Sequence, residues 1–180
     1  MRGRIIFGVL IGIALINAAP LIYFAFSRLT GTHVSTMIET TGETTIYISG
    51  PDAPKPDWFK TPKGAILNSA HAFKANSMRS ESGGVDLMTF ANPRRILDDI
   101  EMDLESAGFT IITSSVADSS DVTMMVLGLS GGLYAYDYDN AQMAQVTVFR
   151  PWGLIIRPRS VQIEWMKNAP EPLPMAATGV

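Results

Sequence analysis

An uncharged apolar run, Ile5–Phe26, constrains the folding of this 180-residue chain more than any other feature of its sequence. As a helix rising about 1.5 Å per residue, the run would be roughly 33 Å long, close to the hydrocarbon core of a bilayer, about 30 Å. A cleaved secretory signal has a shorter apolar core, of about 7 to 15 residues. We therefore expect residues 1–30 to contain one uncleaved membrane-spanning helix rather than a signal peptide.

The basic residues around this run predict its orientation. Arg2 and Arg4 precede it and Arg28 follows it, and basic residues favour the cytoplasmic side of a membrane. We therefore expect a cytoplasmic N-terminus at the inner membrane and a periplasmic or extracytoplasmic domain. The chain has no cysteine, which is compatible with export and excludes disulfides and thiolate metal sites.

Four residues inside the run predict contact with another membrane helix. Gly8 and Gly12 are four positions apart, and small residues at this spacing allow close packing of helices. Asn17 adds an amide that can hydrogen-bond across helices, and Pro20 frees a backbone carbonyl. The partners expected from this pattern are an integral membrane protein and the lipid bilayer. The alternative is that the Asn17 amide or water satisfies the freed backbone locally.

The rest of the chain predicts one α+β domain over residues 31–168. Alternating polar and apolar residues predict strands at Val34–Thr40 and Thr44–Ser49. Apolar residues spaced by three and four predict helices at Pro62–Ala75 and Pro93–Ala107. The expected fold class is α+β, with an N-terminal single transmembrane helix followed by one mostly antiparallel sheet that has about two helices packed on it.

The C-terminal half predicts further strands and a tail. Val122–Leu129 is a continuous apolar run typical of a strand buried on both faces, and Gly131-Gly132 after it indicates a tight turn. Gln145–Arg150 and Val161–Trp165 indicate strands of an antiparallel meander. The prolines of residues 169–180 favour a disordered tail.

The residues that could carry chemistry do not form a catalytic set. Ser130 lies in a Gly-x-Ser-x-Gly pattern, but the hydrolase fold that uses this pattern places its histidine after the serine. Both histidines, His33 and His71, precede Ser130, and two histidines without cysteine are too few for a three-histidine or thiolate metal site. All 17 acidic residues follow the apolar run, so the domain is acidic and does not favour nucleic acid. We expect no enzyme activity, cofactor or metal.

Two groups of residues are candidate partner contacts. Tyrosine and arginine are enriched in protein interfaces, and the first group is a set of alternating tyrosines: Tyr134, Tyr136 and Tyr138. The alternative for that segment is a tight turn. The second group mixes an aromatic residue with basic residues, a composition suited to a partner or to acidic headgroups: Trp152, Arg150, Arg157 and Arg159. Its alternative is a hairpin whose arginines are solvated.

These observations predict a non-catalytic accessory, assembly or scaffolding subunit of an inner-membrane protein complex. The alternative is a membrane-tethered extracytoplasmic module that binds a small ligand, a lipid or an envelope polymer. A ligand-binding module needs a pocket with convergent polar groups, whereas a subunit of a complex needs a surface that fits another protein.

Overall fold

The computed structural model describes residues 33–38, 44–75, 81–117, 124, 126–151 and 158–172. One long helix and eight strands lie in these ranges. In chain order the elements are β1 (His33–Ile38), β2 (Thr44–Ser49), β3 (Ala65–Ala75), β4 (Glu81–Thr89), α1 (Pro93–Ser106), β5 (Thr110–Val116), β6 (Leu129–Asp137), β7 (Gln142–Phe149) and β8 (Arg159–Lys167).

The eight strands form one sheet in the order β1-β2-β3-β4-β8-β7-β6-β5. Each pair of neighbours is antiparallel. The sheet therefore consists of two four-stranded meanders that meet where β4 pairs with β8. Because β4 and β5 run in the same direction, their connection must cross the sheet, and α1 makes this crossing.

The hydrophobic core lies between α1 and one face of the sheet. Apolar side chains of the central strands alternate toward this face, and a loop after β2 contributes Ala53, Trp58 and Phe59. From α1, the residues that reach the core are Ile96, Leu97, Ile100 and Leu104. Their spacing of one, three and four is that of an amphipathic stripe, as the sequence predicts.

The ends of α1 follow from its sequence. The Asn92 side chain accepts a hydrogen bond from the Arg94 amide at 2.8 Å, and Pro93 takes the first turn, where its missing N–H is not needed. Gly108 adopts a positive φ of 96° after the helix, as a C-terminal glycine does. Arg94 pairs with Asp98 one turn later at 2.9 Å. The helix predicted at Pro93–Ala107 is thereby confirmed, with its end one residue earlier, at Ser106.

The helix predicted at Pro62–Ala75 is wrong, because the segment forms strand β3. Its pairing with β4 shifts register between Leu67 and Ser69, and a bulge of this kind interrupts the alternation of faces. Ala70 and Ala72 are buried, whereas Ile66 and Phe73 are exposed on the other face. The interrupted alternation gave the apolar residues a spacing that resembles a helix.

The buried strand predicted at Val122–Leu129 is wrong where the structure describes it, because Met124 and Val126 have helical backbone and Val126 is 79% exposed. Positions 122, 123 and 125 lie outside the described residues. The tight turn predicted at Gly131-Gly132 lies inside β6 instead. Gly131 faces α1, and a Cβ there would lie 2.8 Å from the carbonyl oxygen of Ser115 and 3.0 Å from Leu97 Cδ1. Glycine at this position therefore accommodates the close approach of the β5 backbone and of the Leu97 side chain from α1.

Strand β5 forms one edge of the sheet. It pairs with β6 alone, and its register shifts between Ile111 and Thr113. Ser114 remains on the helix side, where its hydroxyl donates to Glu101 Oε2 at 3.1 Å. The bulge bends the free edge of the sheet. The Ser114 hydrogen bond still joins β5 to α1.

The expected fold class is wrong in the number of helices on the sheet and in the transmembrane helix that it includes. Within the described ranges the fold is mostly an antiparallel sheet with a single helix packed on it, α1, where the sequence predicts about two. No helix in this part of the chain is long and apolar enough to cross a bilayer. The prediction of a fold that contains a transmembrane helix is thus corrected, and Ile5–Phe26, where it was placed, lies outside the described residues.

Two adjacent glycines of β6 give a test of the helix packing. We expect Gly131→Ala to lower the free energy of unfolding by about 1 to 3 kcal/mol, because the added methyl group forces Ser115 or Leu97 to move. Gly132→Ala is the matched control, since its Cβ points to the opposite face and meets Val146 O at 3.2 Å. Urea denaturation measures both, and equal losses would contradict the proposed role of Gly131.

Candidate functional site

The face of the sheet opposite α1 is the candidate functional site, which we call the open face. Residues paired across strands share a face, so the register assembles two transverse rows of side chains. The first row contains Tyr47, Phe73, Ser82, Met166, Met143, Tyr136 and Thr110. The second row contains Ser49, His71, Gly84, Glu164, Gln145, Tyr134 and Thr113.

Most side chains of the open face are half-buried or exposed. The core elements α1 and the loop after β2 pack on the other side of the sheet. Met124 borders the open face beside Tyr134 and Thr147. In the remainder of the described chain, no helix covers the two rows. The open face is thus a broad surface on which large apolar side chains contact solvent.

Three aromatic rings form a group on the β2–β3 side of the open face. The ring centroids of Tyr47 and Phe73 lie 4.7 Å apart, those of His71 and Phe73 lie 5.7 Å apart, and those of Tyr47 and His71 lie 6.3 Å apart. These separations are those of favourable aromatic pairs. The His71 ring lies against Gly84, where a Cβ would come within 2.6 Å of His71 Cε1.

Two hollows indent the open face. One, of about 210 Å³, lies beside His71, Phe73, Met143 and Met166. The other, of about 350 Å³, lies between Met124, Tyr134 and Thr147. Protruding side chains of a partner can fill hollows of this size, because anchors in protein interfaces occupy such pockets.

The formal charges on the described part of the open face are both negative. Asp86 accepts a hydrogen bond from Ser69 Oγ at 2.7 Å, and Glu164 accepts one from Gln162 Nε2 at 3.3 Å. The lysine nearest in sequence, Lys167, points to the other face and pairs with Glu81 at 2.7 Å. A complementary surface would therefore be apolar and neutral to basic.

The structure brings the three predicted tyrosines together. Tyr134 and Tyr136 lie on the open face, and the Tyr138 ring is 4.9 Å from that of Tyr136. Tyr138 is 51% exposed, whereas Tyr136 is 3% exposed and donates its hydroxyl to the Ala169 carbonyl at 2.8 Å. Tyr134 and Tyr138 are therefore available for contact, and Tyr136 fixes residues after β8. Ala169 is itself buried at this contact.

The turn between β6 and β7 is organised by the buried carboxylate of Asp137. One oxygen accepts the amides of Asp139 and Asn140 at 3.0 and 3.1 Å, and the other accepts Asn140 Nδ2 at 2.7 Å. These bonds form the predicted tight turn, and both carboxylate oxygens of Asp137 accept hydrogen bonds in it. Within the described ranges, no group of three or more His, Cys, Asp or Glu residues could hold a metal ion.

A cleft of about 480 Å³ lies at this end of the sheet, outside the open face. Aromatic and polar side chains line it together: Asp57, Trp58, Phe109, Asp137, Asn140, Gln142 and Lys167. Trp58 packs edge-on against Phe109, with ring centroids 5.4 Å apart. The cleft has the size of a small-molecule site.

The predicted arginines lie at the opposite end of the sheet from Tyr138. Arg150 and Arg159 line one cavity of about 270 Å³ beside the first turn of α1. Trp152 and Arg157 lie outside the described residues, as do all four residues of the predicted helix contact: Gly8, Gly12, Asn17 and Pro20. The structure thus separates the two predicted groups and does not assemble them into one surface.

Sequence reasoning missed most of the open face. Tyr47, His71, Phe73, Met143 and Met166 come from four strands, and register alone makes them neighbours. One sequence signal was present, since the strand alternation puts Tyr47 on the same face as Ser49. Because the sequence predicts a helix where β3 forms, it does not place His71 and Phe73 beside Tyr47.

Comparisons of this chain with protein-family models, with curated proteins and with solved structures found no match.

The Tyr136 contact predicts a dependence of stability on alkaline pH. Burial raises the pKa of the Tyr136 phenol above its ordinary value of 10.0, and the negative charge of Glu171 raises it further. The folded state therefore favours the neutral phenol, and its contribution is complete below pH 10 and is lost as the pH rises through the raised pKa.

We expect Tyr136→Phe to be less stable than the wild-type chain at neutral pH, because the Ala169 carbonyl loses its donor. Above about pH 10, the difference between the two should shrink as the wild-type phenol ionises. Urea denaturation across this range measures the effect, with the exposed Tyr138→Phe as control. A difference that stays constant would contradict the role of Tyr136.

Proposed function

We propose that this chain is a non-catalytic accessory or assembly subunit of an inner-membrane protein complex and binds another subunit through its open face. The observation that carries the proposal is the composition of that face, where aromatic and methionine side chains form a row across the sheet beside Gln, Ser and Thr. Tyr, Phe and Met are the residues in which protein interfaces are enriched.

The occupant of the open face is, in this proposal, a protein surface that is apolar and neutral to basic. Phe73 and Ile66 are exposed although they are large and apolar, and such residues on one face mark an interaction site. Asp86 and Glu164 supply the charge that a basic partner would complement. The two hollows provide places for anchoring side chains.

The same proposal locates the protein at the inner membrane, with its domain outside the cytoplasm. The support for it is the sequence of residues 1–32, which combines apolar residues with Arg2 and Arg4. The open face supports the protein-binding part of the proposal independently of that sequence. The two parts are therefore tested by different variants.

A charge reversal on the open face tests the proposed contact. Glu164→Lys should reduce the fraction of chain in a larger complex about tenfold or more, equivalent to about 1.4 kcal/mol of binding free energy, because it places like charges together. Glu105→Lys is the matched control, since Glu105 is also exposed but lies on α1. Native electrophoresis of detergent extracts from cells that produce the full-length chain measures the complex.

Three outcomes of this experiment are informative. Loss of the larger species with Glu164→Lys and its retention with Glu105→Lys would support the open face as the contact. Equal behaviour of the two variants would exclude it. A chain that migrates only as a monomer at every detergent strength would remove the subunit proposal altogether.

The cleft beside Trp58 favours a second candidate function, a module that binds a hydroxyl-rich ligand such as an envelope saccharide. Its aromatic rings offer an apolar surface, and Asn140, Gln142 and Asp57 offer hydrogen-bonding groups. Gln142→Ala should then weaken saccharide binding, measured by calorimetry, without affecting the larger complex. If the first proposal is correct, Glu164→Lys should reduce the larger complex and leave saccharide binding unchanged.

A further inference from the structure

The cavity beside the start of α1 combines two arginines that lack a described counter-charge. Arg150 and Arg159 line it with Ser130 and with apolar residues of β5, β6 and α1. Its described lining contains no aspartate or glutamate, and neither arginine forms a salt bridge with a described carboxylate. Two positive charges at one cavity repel each other, and an anion bound between them would offset that repulsion.

Backbone carbonyls hold the two guanidinium groups in place. Arg159 donates from Nη1 to the Ala91 carbonyl at 2.9 Å, and Arg150 donates from Nε to the Leu129 carbonyl at 3.3 Å. A guanidinium has five N–H donors, so each group has donors beyond these bonds. Arg159 Nε is buried and has no acceptor among the described residues. The carbonyls orient the arginines, and no described carboxylate pairs with either of them.

The first turn of α1 adds positive potential to the same cavity. Pro93, which begins α1, is part of the lining, and the N-terminal end of a helix carries the positive end of its dipole. The first turn has no acidic residue but contains Arg94 and Arg95, the reverse of the usual preference. Arg94 pairs with Asp98, so the positive potential at the cavity comes from Arg150, Arg159 and the helix end.

We propose that this cavity binds an oxyanion of the phosphate class, held by Arg150 and Arg159 beside the N-terminal end of α1. Arginine suits this ligand because its planar fork can donate two hydrogen bonds to one phosphate. A volume of about 270 Å³ exceeds the roughly 30 Å³ that one water occupies in the liquid severalfold, so a phosphate with a short substituent fits. The phosphate belongs to a free ion, a small phosphorylated molecule or a phospholipid headgroup. The site is distinct from the open face and does not depend on the function proposed for it.

Thermal unfolding of the full-length chain in inorganic phosphate, at constant ionic strength, tests the proposal. A ligand that binds the folded state raises the melting temperature in a saturable way, so the wild-type chain should show a saturable rise. Arg150→Gln should need at least a tenfold higher phosphate concentration for the same rise. Lys74→Gln is the control. It removes the same charge from an exposed position near the C-terminal end of β3, outside the cavity, and should respond like the wild type.

Two additions keep the experiment decisive. Arg150→Lys retains the charge without the fork, so it should give an intermediate response, and it replaces Arg150→Gln if that variant does not fold. Dihexanoyl phosphatidic acid, a soluble short-chain lipid, distinguishes the sources: saturation at a lower concentration than inorganic phosphate indicates a headgroup, and equal or weaker saturation indicates a free phosphate. The proposal is overturned if neither compound produces a rise, or if the rise is the same in the Arg150 variants and in Lys74→Gln.

Discussion

The pairing of β4 with β8 is the interaction on which the rest of the structure depends. It joins two meanders, each of which pairs internally between strands that follow one another along the chain. The pairing brings Val85 opposite Ile163 and Leu87 opposite Val161, and these buried residues form the centre of the core. Such distant segments pay a large loop-closure entropy before they pair. The helix α1 forms the connection between the two meanders and packs most closely against β5 and β6.

In the described part of the chain a single helix packs on the eight-stranded sheet and covers only one of its faces, so the other face is left open there. Antiparallel sheets tolerate one solvated face when its residues are largely polar. Here Gln145, Thr147 and Gln162 satisfy that condition, whereas Phe73 and Met166 do not. The departure from a purely polar face distinguishes this surface from a solvent-facing one and is the basis for proposing that it binds another protein.

The sequence predicted those features that depend on residues close together in the chain. The apolar stripe of α1 and strand β2 were readable because periodicity acts over a few positions. The bulge in β3 and the place of Gly131 inside β6 were not, since both depend on what the neighbouring strand or helix requires. The candidate site could be predicted only in part, because the alternation of Tyr134 and Tyr136 is local, whereas the meeting of Tyr47 with Phe73, or of Arg150 with Arg159, is set by tertiary structure.

The bulge in the edge strand β5 has a consequence for how molecules of this protein meet one another. A straight free edge presents a regular series of unpaired backbone groups, to which a strand of another copy can add. The shift between Ile111 and Thr113 breaks that regularity, and the exposed side chains of Thr110 and Thr113 add polar groups along it. Addition of a second copy along this edge is thereby disfavoured.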